Sequence, residues 1–340
     1  MTTQKKYFVT GIGNSIIDVL VFIKDKYLAE NSLKKGSMTL VEQQNSLSLT
    51  NLKYNKISFG GSVANSVIAM ANFGIKNAFI GKVGSGHYGQ MFYDNVVENN
   101  VDFYCKNRSR FGSTARSFIL ITPDKERTMC TYLGESGNIF DQIDEEAISK
   151  SKILYLEGYL WHEEPAIKAL KQAILIARKN KTKIAFTLCD AGWVELHKSD
   201  FLKIINISDI VFSNEDEIKA LTSTDNIDYD KIRKLGDDNK NLILVITRSE
   251  KSAIIFSSKT KEFIEISANK IENIVDSTGA GDAFAAGFLY GLNQKLSLEE
   301  SAKIGHLFAS NIMQIIGGRF EKEQITNIKK LLKTNSQNVA

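Results

Sequence analysis

The sequence predicts an α/β protein built around a mostly parallel β-sheet with helices on both faces. From residue 153 to residue 247, short apolar runs of strand length alternate with longer segments of helical periodicity. This alternation is typical of parallel sheets, because parallel neighbours need a long crossover connection that is usually helical. Residues 115–122 and 127–133 instead predict two strands joined by a short turn at 123–126. That hairpin interrupts the rhythm and predicts a separate small β element.

The elements before and after the hairpin can be placed in chain order. Residues 7–12 predict a first buried strand that ends in the pattern Gly11-x-Gly13, and residues 62–73 predict a helix that stops at Gly74. Short strands or turns are expected at 19–23 and 36–41. Further strands are expected at 77–83, 153–156, 183–188, 209–212 and 242–247, and further helices at 90–99, 164–179, 201–205, 215–221 and 283–292.

Composition excludes several classes of protein. The 340 residues contain 43% hydrophobic and 24% charged residues with a net charge of +4, which is ordinary for a globular protein. The positive charges form no basic block, so no nucleic-acid partner is predicted. Cys105, Cys130 and Cys189 lie far apart, which indicates neither a disulfide framework nor a zinc site. No stretch reaches the length of a membrane span, and a cytoplasmic protein without a membrane partner is expected.

The run Asp276-Ser277-Thr278-Gly279-Ala280-Gly281-Asp282 carries the most chemical information. It follows a β-leaning segment at 271–275 and begins the buried helix expected at 283–292. Glycines let the backbone turn tightly, and the free N–H groups of a helix's first turn attract an anion. A carboxylate at the same place outlines a phosphoryl-transfer site. The competing interpretation is an ordinary helix cap, because Asp, Ser and Gly are common at helix starts.

A second glycine-rich pattern competes for the phosphate role. The segment Gly84-Ser85-Gly86-His87-Tyr88-Gly89 matches the GxGxxG pattern of dinucleotide-binding proteins, after a strand and before a helix. That motif needs an acidic residue about 20 positions further on, and Asp102 comes too early. A NAD-dependent oxidoreductase is therefore a remote alternative. No GxxxxGK[ST] pattern occurs, which excludes a P-loop.

Asn214 and Glu217 allow two interpretations at the end of a predicted strand. Asn214 followed three residues later by Glu217 is close to a capping box. The same residues could bind Mg²⁺ directly or through water, since Mg²⁺ usually takes one or two carboxylates. Both interpretations can hold together, because ligands of α/β proteins bind at the carboxyl ends of strands.

Two other positions are candidates for substrate binding. The segment Gly60-Gly61-Ser62-Val63-Ala64-Asn65 lies at a strand-to-helix turn, where a substrate can approach the backbone. Asp18 is a charged residue in an apolar stretch, and its carboxylate could accept hydrogen bonds from the vicinal hydroxyls of a ribose. A plain loop and a turn aspartate remain the alternatives.

Together these patterns resemble the ribokinase-like, or PfkB, carbohydrate and nucleoside kinases. The resemblance extends over residues 7–319 and rests on three motifs in the right order: 60–84, Asn214 with Glu217, and 276–284. It implies a three-layer α/β/α fold with a small β-sheet lid over the acceptor. The implied large domain comprises 1–15, 42–102 and 134–330, the lid 16–41 and 103–133, and the C-terminal tail 331–340.

Within the family, the chain looks most like the bacterial adenosine kinases. Gly60-Gly61 is followed by Ser62, where sugar kinases of the family more often have Lys-Gly. One departure concerns the nucleotide strand, which often ends in T-x-G-x-x-G in the family. Here Ser249 and Ser252 replace its glycines.

The resemblance implies phosphorylation of the adenosine 5′-hydroxyl by ATP and Mg²⁺, in purine salvage, with a sugar kinase of the same family as the alternative. Asp282 would be the general base, and the backbone of Gly279, Ala280 and Gly281 would hold the transferring group. The implied acceptor ligands are Asn14, Asp18, Gly60, Gly61, Ser62, Asn65 and Arg116. The implied nucleotide ligands are Asn214, Thr247, Arg248, Thr278, Gly279, Gly281 and Asn311, with Asn214 and Glu217 at the metal.

Some implied features stay open at the sequence level. Arg116 and Arg127, both on the lid strands, are the candidates for closing over phosphate or substrate, and Asp276 is a candidate for binding a monovalent cation such as K⁺. The aromatic residue that stacks on the base is left open among Phe118, Tyr132 and Trp161. A monomer and a homodimer are both compatible with the family.

Overall fold

A computed structural model describes residues 5–106, 108–110, 112–124 and 126–337. The strands are β1 (Tyr7–Ile12), β2 (Ile16–Phe22), β3 (Met38–Leu40), β4 (Lys56–Phe59), β5 (Ala78–Ile80), β6 (Asp102–Tyr104), β7 (Ala115–Ile121), β8 (Arg127–Tyr132), β9 (Ser151–Glu157), β10 (Lys183–Thr187), β11 (Ile210–Asn214), β12 (Ile243–Thr247), β13 (Ser252–Ser257) and β14 (Glu262–Ser267). The helices are α1 (Asp25–Glu30), α2 (Gln43–Leu49), α3 (Ser62–Asn72), α4 (His87–Glu98), α5 (Glu145–Ser149), α6 (Glu164–Lys179), α7 (Ala191–Ile205), α8 (Glu215–Thr222), α9 (Tyr229–Asp238), α10 (Ala280–Asn293), α11 (Leu298–Ile312) and α12 (Lys322–Gln337).

The larger sheet has the order β14-β13-β12-β11-β10-β9-β1-β5-β6 and confirms the α/β fold class. Its strands from β12 to β6 pair in parallel, whereas β13 and β14 pair antiparallel at one edge. The sequence did not predict this edge hairpin. Because the parallel strands are buried on both faces, they are apolar almost throughout, as in the β9 sequence SKILYLE.

Helices cover both faces of the larger sheet and make the three-layer architecture. On one face, α3, α10 and α11 pack together over a core that includes Val63, Phe288 and Phe308. On the other face, α6 and α7 pack over a second core that includes Leu170 and Phe201. Both faces of the parallel strands are thus buried under helices.

The smaller sheet has the order β3-β8-β7-β2-β4 and contains the predicted hairpin of β7 and β8. The strands that belong to this sheet differ from the expected lid boundaries at two places. Strand β4 lies within the segment 42–102 assigned to the large domain, yet it pairs with β2 in the smaller sheet. Residues 103–104 were assigned to the lid, yet they belong to β6, which pairs with β5 in the larger sheet.

Two other expectations were wrong. Residues 271–275 form an irregular connection instead of a strand, and it is anchored where the Val275 N–H donates to the Met313 carbonyl oxygen at 2.8 Å. The expected tail at 331–340 is helical up to Gln337, because α12 continues to that residue, and residues 338–340 lie outside the described part. Among the described residues, no helix is long and apolar enough to span a membrane.

Candidate active site

A cavity of about 470 Å³ lies between the carboxyl ends of the parallel strands and the smaller sheet. The larger domain contributes mostly polar lining residues: Asn14, Asn65, Asp190, Asn214, Glu217, Thr247 and Asp282. The smaller sheet and the segments next to it contribute a more apolar wall: Ile16, Asp18, Met38, Leu40, Ser117, Met129, Thr131 and Leu133. The smaller sheet therefore covers the cavity in the manner of a lid.

The start of α10 forms the floor of this cavity. Gly279 has φ +75°, a conformation that glycine adopts at little cost, and a Cβ there would lie 2.6 Å from the Gly318 Cα. By contrast, a Cβ on Gly281 would meet no other heavy atom within 4 Å, so the backbone there faces open space. The first-turn N–H groups lack intrahelical partners and are available to an anion.

Asp282 is held in place by two residues of α3. The Ser62 hydroxyl donates to Asp282 Oδ1 at 2.5 Å, and the Asn65 amide donates to Asp282 Oδ2 at 3.0 Å. Burial raises the pKa of the Asp282 carboxyl, while these two hydrogen bonds and the nearby Arg319 oppose the increase. The expected motifs 60–65 and 276–282 thus meet, and they place a half-buried, oriented carboxylate beside a helix N-terminus.

Asp18 lies on the lid side of the same cavity. Its carboxylate packs so closely against Gly60 that a Cβ at residue 60 would lie 2.8 Å from Asp18 Oδ2. Burial raises its pKa to about 7; Arg319 and Arg127 oppose the increase, and Asp276 and Asp282 add to it. The carboxylate lines the cavity, where it is available to a polar ligand.

Asn14 is oriented by a residue that the sequence did not single out. Its Nδ2 donates to Glu157 Oε1 at 2.7 Å, and its Oδ1 accepts from the Ser136 hydroxyl at 2.9 Å. Glu157 is 1% exposed and also accepts from the Val63 N–H at 3.1 Å. Burial raises the pKa of Glu157 to about 7, against the effect of these hydrogen bonds. A carboxylate at the end of an apolar strand is the signal that could have revealed it.

Asn214 and Glu217 form the capping box that the sequence indicated. The Glu217 N–H donates to Asn214 Oδ1 at 2.8 Å, and the Asn214 N–H donates to Glu217 Oε2 at 3.0 Å. Both residues also line the cavity. Burial raises the pKa of Glu217 to about 7, with Asp190 and Asp282 adding to the increase, which is an environment that a cation would relieve. This donor set fits Mg²⁺, which keeps most of its waters.

Other described residues offer no denser metal site. No group of three or more His, Cys, Asp or Glu side chains in the described part of the chain is arranged to hold a metal ion. Asp276 already accepts hydrogen bonds from the Thr278 and Gly317 N–H groups, both at 2.8 Å, and its Oδ1 lies 2.5 Å from Arg127 Nη1. The carboxylate of Asp276 therefore shapes the loop before α10.

Three expected ligands do not line the cavity. The Arg116 guanidinium donates to the Ser46 hydroxyl at 2.6 Å, on the side of the lid covered by α2. Arg248 contacts Ser252 and Glu265. Asn311 donates to the carbonyl oxygen one helical turn earlier in α11. Thr247 and Thr278, in contrast, do line it.

The three aromatic candidates for stacking and the GxGxxG segment at 84–89 also lie outside the cavity. Phe118, Tyr132 and Trp161 are absent from the cavity wall, where Tyr159, His162, Trp193, Phe212 and Phe284 are found instead. Residues 84–86 precede α4 and residues 87–89 belong to its first turn, and none of them contributes to the cavity. This placement removes the basis for the NAD interpretation.

The fold and the cavity define a phosphotransferase of the three-layer α/β/α type. The chain belongs to the pfkB family of carbohydrate kinases, whose family model matches residues 36–324. The structure is similar to adenosine kinase from Sinorhizobium meliloti, with a TM-score of 0.87 and 34% identity over 96% of this chain and 99% of that one. A probable sugar kinase from Rhizobium etli is similar to the same degree, with a TM-score of 0.87 and 32% identity over the same shares. In sequence, probable fructokinase-6 of Arabidopsis thaliana, a chloroplastic protein, is 31% identical over 91% of this chain and 77% of its own length.

Proposed function

We propose that this kinase transfers the γ-phosphoryl group of ATP to the 5′-hydroxyl of adenosine, giving AMP and ADP. The observation that carries the proposal is the position of the Asp282 carboxylate. It lies at the first turn of α10, oriented by Ser62 and Asn65, in the cavity that also contains Asp18. A general base, an anion-binding helix start and a ligand for vicinal hydroxyls would thus share one cavity.

The chain's own residues account for the steps of the transfer. Asp282 accepts the proton of the acceptor hydroxyl as its oxygen forms a bond to the γ-phosphorus and the bond to the ADP oxygen breaks. The first turn of α10, from Gly279 to Gly281, stabilises the negative charge of the transferring group. Bound Mg²⁺ would neutralise phosphate charge, and Glu217 and Asn214 would hold it through its waters.

The acceptor is oriented at the opposite end from the nucleotide. Asp18 can accept hydrogen bonds from two vicinal hydroxyls, and Asn14 is held firmly by Glu157 for the same task. Asn65 contacts Asp282 and also lines the cavity, so the ribose hydroxyl and the general base Asp282 would meet there. Thr247, Thr278 and Asn214 line the part of the cavity proposed for ATP.

Two observations favour a nucleoside over a free sugar. The lid contributes an apolar wall through Met38, Leu40, Met129 and Leu133, which suits a planar base better than a fully hydroxylated ring. Residue 62, which donates to Asp282, is a serine, whereas sugar kinases of the family more often have Lys-Gly after the glycine pair. The similarity to an adenosine kinase over nearly the full chain supports the same choice.

A sugar kinase of the same family is the second candidate. It is favoured by the 31% identity to a probable fructokinase and by the similarity to a probable sugar kinase. The polar end of the cavity, with Asn14, Asp18 and Asn65, would serve a sugar equally well. The preference for a nucleoside over a free sugar therefore depends on the apolar wall of the lid.

The test is an ADP-release assay with MgATP over adenosine, inosine, guanosine, ribose and fructose. Each product is identified by mass spectrometry, and a reaction without acceptor corrects for ATP hydrolysis. We expect the highest kcat/KM for adenosine, with AMP as the product. A higher kcat/KM for ribose or fructose would contradict the nucleoside assignment and favour the second candidate.

A further inference from the structure

Arg319 lies behind the catalytic carboxylate and was not predicted as a site residue. It follows Gly317 and Gly318 in the segment between α11 and α12. Its Nε donates to Asn65 Oδ1 at 3.1 Å, and the Asn65 Nδ2 donates to Asp282 Oδ2 at 3.0 Å. The guanidinium, the amide and the carboxylate therefore form a continuous hydrogen-bonded chain.

The chemistry of the three groups allows only one orientation of the Asn65 amide. A guanidinium can only donate hydrogen bonds, and an ionised carboxylate can only accept them. Asn65 must therefore turn its oxygen to Arg319 and its NH₂ to Asp282. With the amide reversed, an oxygen would face the carboxylate and an NH₂ would face the guanidinium.

Arg319 is itself fixed from several sides. Its Nη2 donates to the Gly60 carbonyl oxygen at 3.3 Å, and its Nη1 contacts Asn95 Oδ1 on α4. The guanidinium carbon lies 5.1 Å from the centre of the Phe59 ring and 5.2 Å from that of Phe92. These contacts enclose the cation, and the enclosure lowers the pKa of Arg319 to about 9, so the group stays charged near neutral pH.

The backbone packs closely around the hydrogen-bonded groups of Arg319, Asn65 and Asp282. A Cβ on Gly318 would lie 2.7 Å from Asn65 Nδ2, and a Cβ on Gly279 would lie 2.6 Å from the Gly318 Cα. The segment that carries Arg319 is thus pressed against both Asn65 and the start of α10. A movement of Arg319 would be transmitted to the residues that hold Asp282.

Resting on the proposed role of Asp282 as the base, we propose that Arg319 is the positioning residue of phosphoryl transfer. It sets the Asn65 amide that holds Asp282, and its half-buried positive charge acts on both Asp282 and Asp18. Arg319 does not touch the reacting atoms and acts through Asn65.

Because the charge of Arg319 acts on Asp282, the proposed role predicts a change in the pH dependence of kcat/KM. Among the described residues, the other titratable groups that interact electrostatically with Asp282 are acidic or neutral: Asp18 on β2, Tyr155 and Glu157 on β9, Cys189 after β10, and Glu217 on α8. Arg319 lowers the pKa of Asp282 against the effect of burial. Removing its charge should raise the pKa of Asp282, so the acidic limb of the kcat/KM profile should move to higher pH.

The experiment compares Arg319→Met and Arg319→Lys in the wild-type chain and in an Asp282→Asn chain, with the acceptor that the wild type uses best. Arg319→Met should lower kcat about 10²-fold, the order of loss expected from a misplaced catalytic group. In the Asp282→Asn background the same change should alter the residual rate by no more than about twofold, because it acts through the missing carboxylate. Arg319→Lys should recover part of the pH profile but not the full rate, since it keeps the charge and loses the planar fork.

An equal loss in both backgrounds would overturn the proposal, because it would show a structural effect alone. So would wild-type kinetics in Arg319→Met. Circular dichroism checks folding. If Arg319→Met does not fold, Arg319→Lys is used instead to compare the wild-type and Asp282→Asn backgrounds. A ¹³C-NMR titration of aspartate-labelled protein measures the carboxyl pKa of Asp282 without turnover, and it should be higher in the variant. If no acceptor is phosphorylated by the wild type but this shift is seen, the proposed function fails and the positioning role stands; an unchanged titration would overturn the positioning role.

Discussion

Arg127 on the lid strand β8 and Asp276 in the loop before α10 connect the smaller sheet to the start of α10. Arg127 Nη1 lies 2.5 Å from Asp276 Oδ1 and donates to the Thr278 hydroxyl at 2.6 Å. The Asp276 side chain is 1% exposed, whereas that of Arg127 is 26% exposed. Burial would raise the pKa of Asp276, but the hydrogen bonds from Arg127, Thr278 and Gly317 outweigh it, and the pKa is lowered.

This ion pair predicts a linked loss of stability and activity in Arg127→Met. The change leaves a buried carboxylate without its cation, which should cost about 1–3 kcal/mol of the free energy of unfolding. The lid would also lose its connection to the start of α10, so kcat should fall about tenfold, roughly the loss of one charged hydrogen bond. Thermal unfolding and steady-state kinetics measure the two effects.

The matched control is Lys35→Met, which breaks an ion pair on the exposed part of the lid. Lys35 contacts Asp25 and Asp124, whose side chains are 61% and 58% exposed. Exposed pairs contribute about 0–1 kcal/mol, so this variant should resemble the wild type. If Arg127→Met is no worse than Lys35→Met, the ion pair does not connect the lid to the site.

Asp18→Asn should weaken acceptor binding while sparing ATP. Losing a hydrogen bond to a charged group costs about 1.5–3 kcal/mol, so the KM of the acceptor should rise about 10- to 100-fold. The KM of MgATP should change by no more than about twofold, since Asp18 is proposed to bind the acceptor and not the nucleotide. Equal increases in both values would contradict the ribose role of Asp18.

The pKa of Asp18 adds a pH dependence to this prediction. Burial raises this pKa to about 7, so the carboxylate is lost as the pH falls through about 7. The KM of the acceptor should therefore increase between about pH 8 and pH 6 in the wild type. In Asp18→Asn this part of the pH dependence should be absent, and its persistence would assign the titration to another group.

Glu217→Gln should raise the Mg²⁺ concentration needed for half-maximal activity. Residues that hold a metal through its outer contacts typically change its affinity about 10- to 100-fold when they are replaced. The control is Glu300→Gln, because Ser297 and Glu300 form an equivalent capping box at the start of α11, away from the cavity. If both variants need the same Mg²⁺ concentration, Glu217 is only a helix cap.

The segments 60–65, 214–217 and 276–282 are far apart in the sequence, yet residues of all three line one cavity, as their local patterns suggested. Only 214–217 lies at the carboxyl end of a parallel strand of the larger sheet; 60–65 follows β4 of the smaller sheet, and 276–282 follows an irregular connection. Glycine and capping patterns are local, so their chemistry can be read without the tertiary structure.

Side-chain direction was the part that could not be predicted. Arg116 and Ser117 are neighbours on β7, and only Ser117 lines the cavity, because successive residues of a strand point to opposite faces. The same holds for Thr247 and Arg248 at the end of β12. Strand β4 was assigned to the wrong sheet because it has only four residues and its pairing with β2 joins segments that are distant in the sequence.

Asp282→Asn tests the central claim most directly. The substitution keeps the size of the side chain and removes its ability to accept the proton of the acceptor hydroxyl. With adenosine and saturating MgATP, we predict that kcat falls about 10²–10⁴-fold while the variant keeps the circular dichroism spectrum of the wild type. Near-normal turnover in a folded Asp282→Asn protein would contradict the assignment of Asp282 as the base.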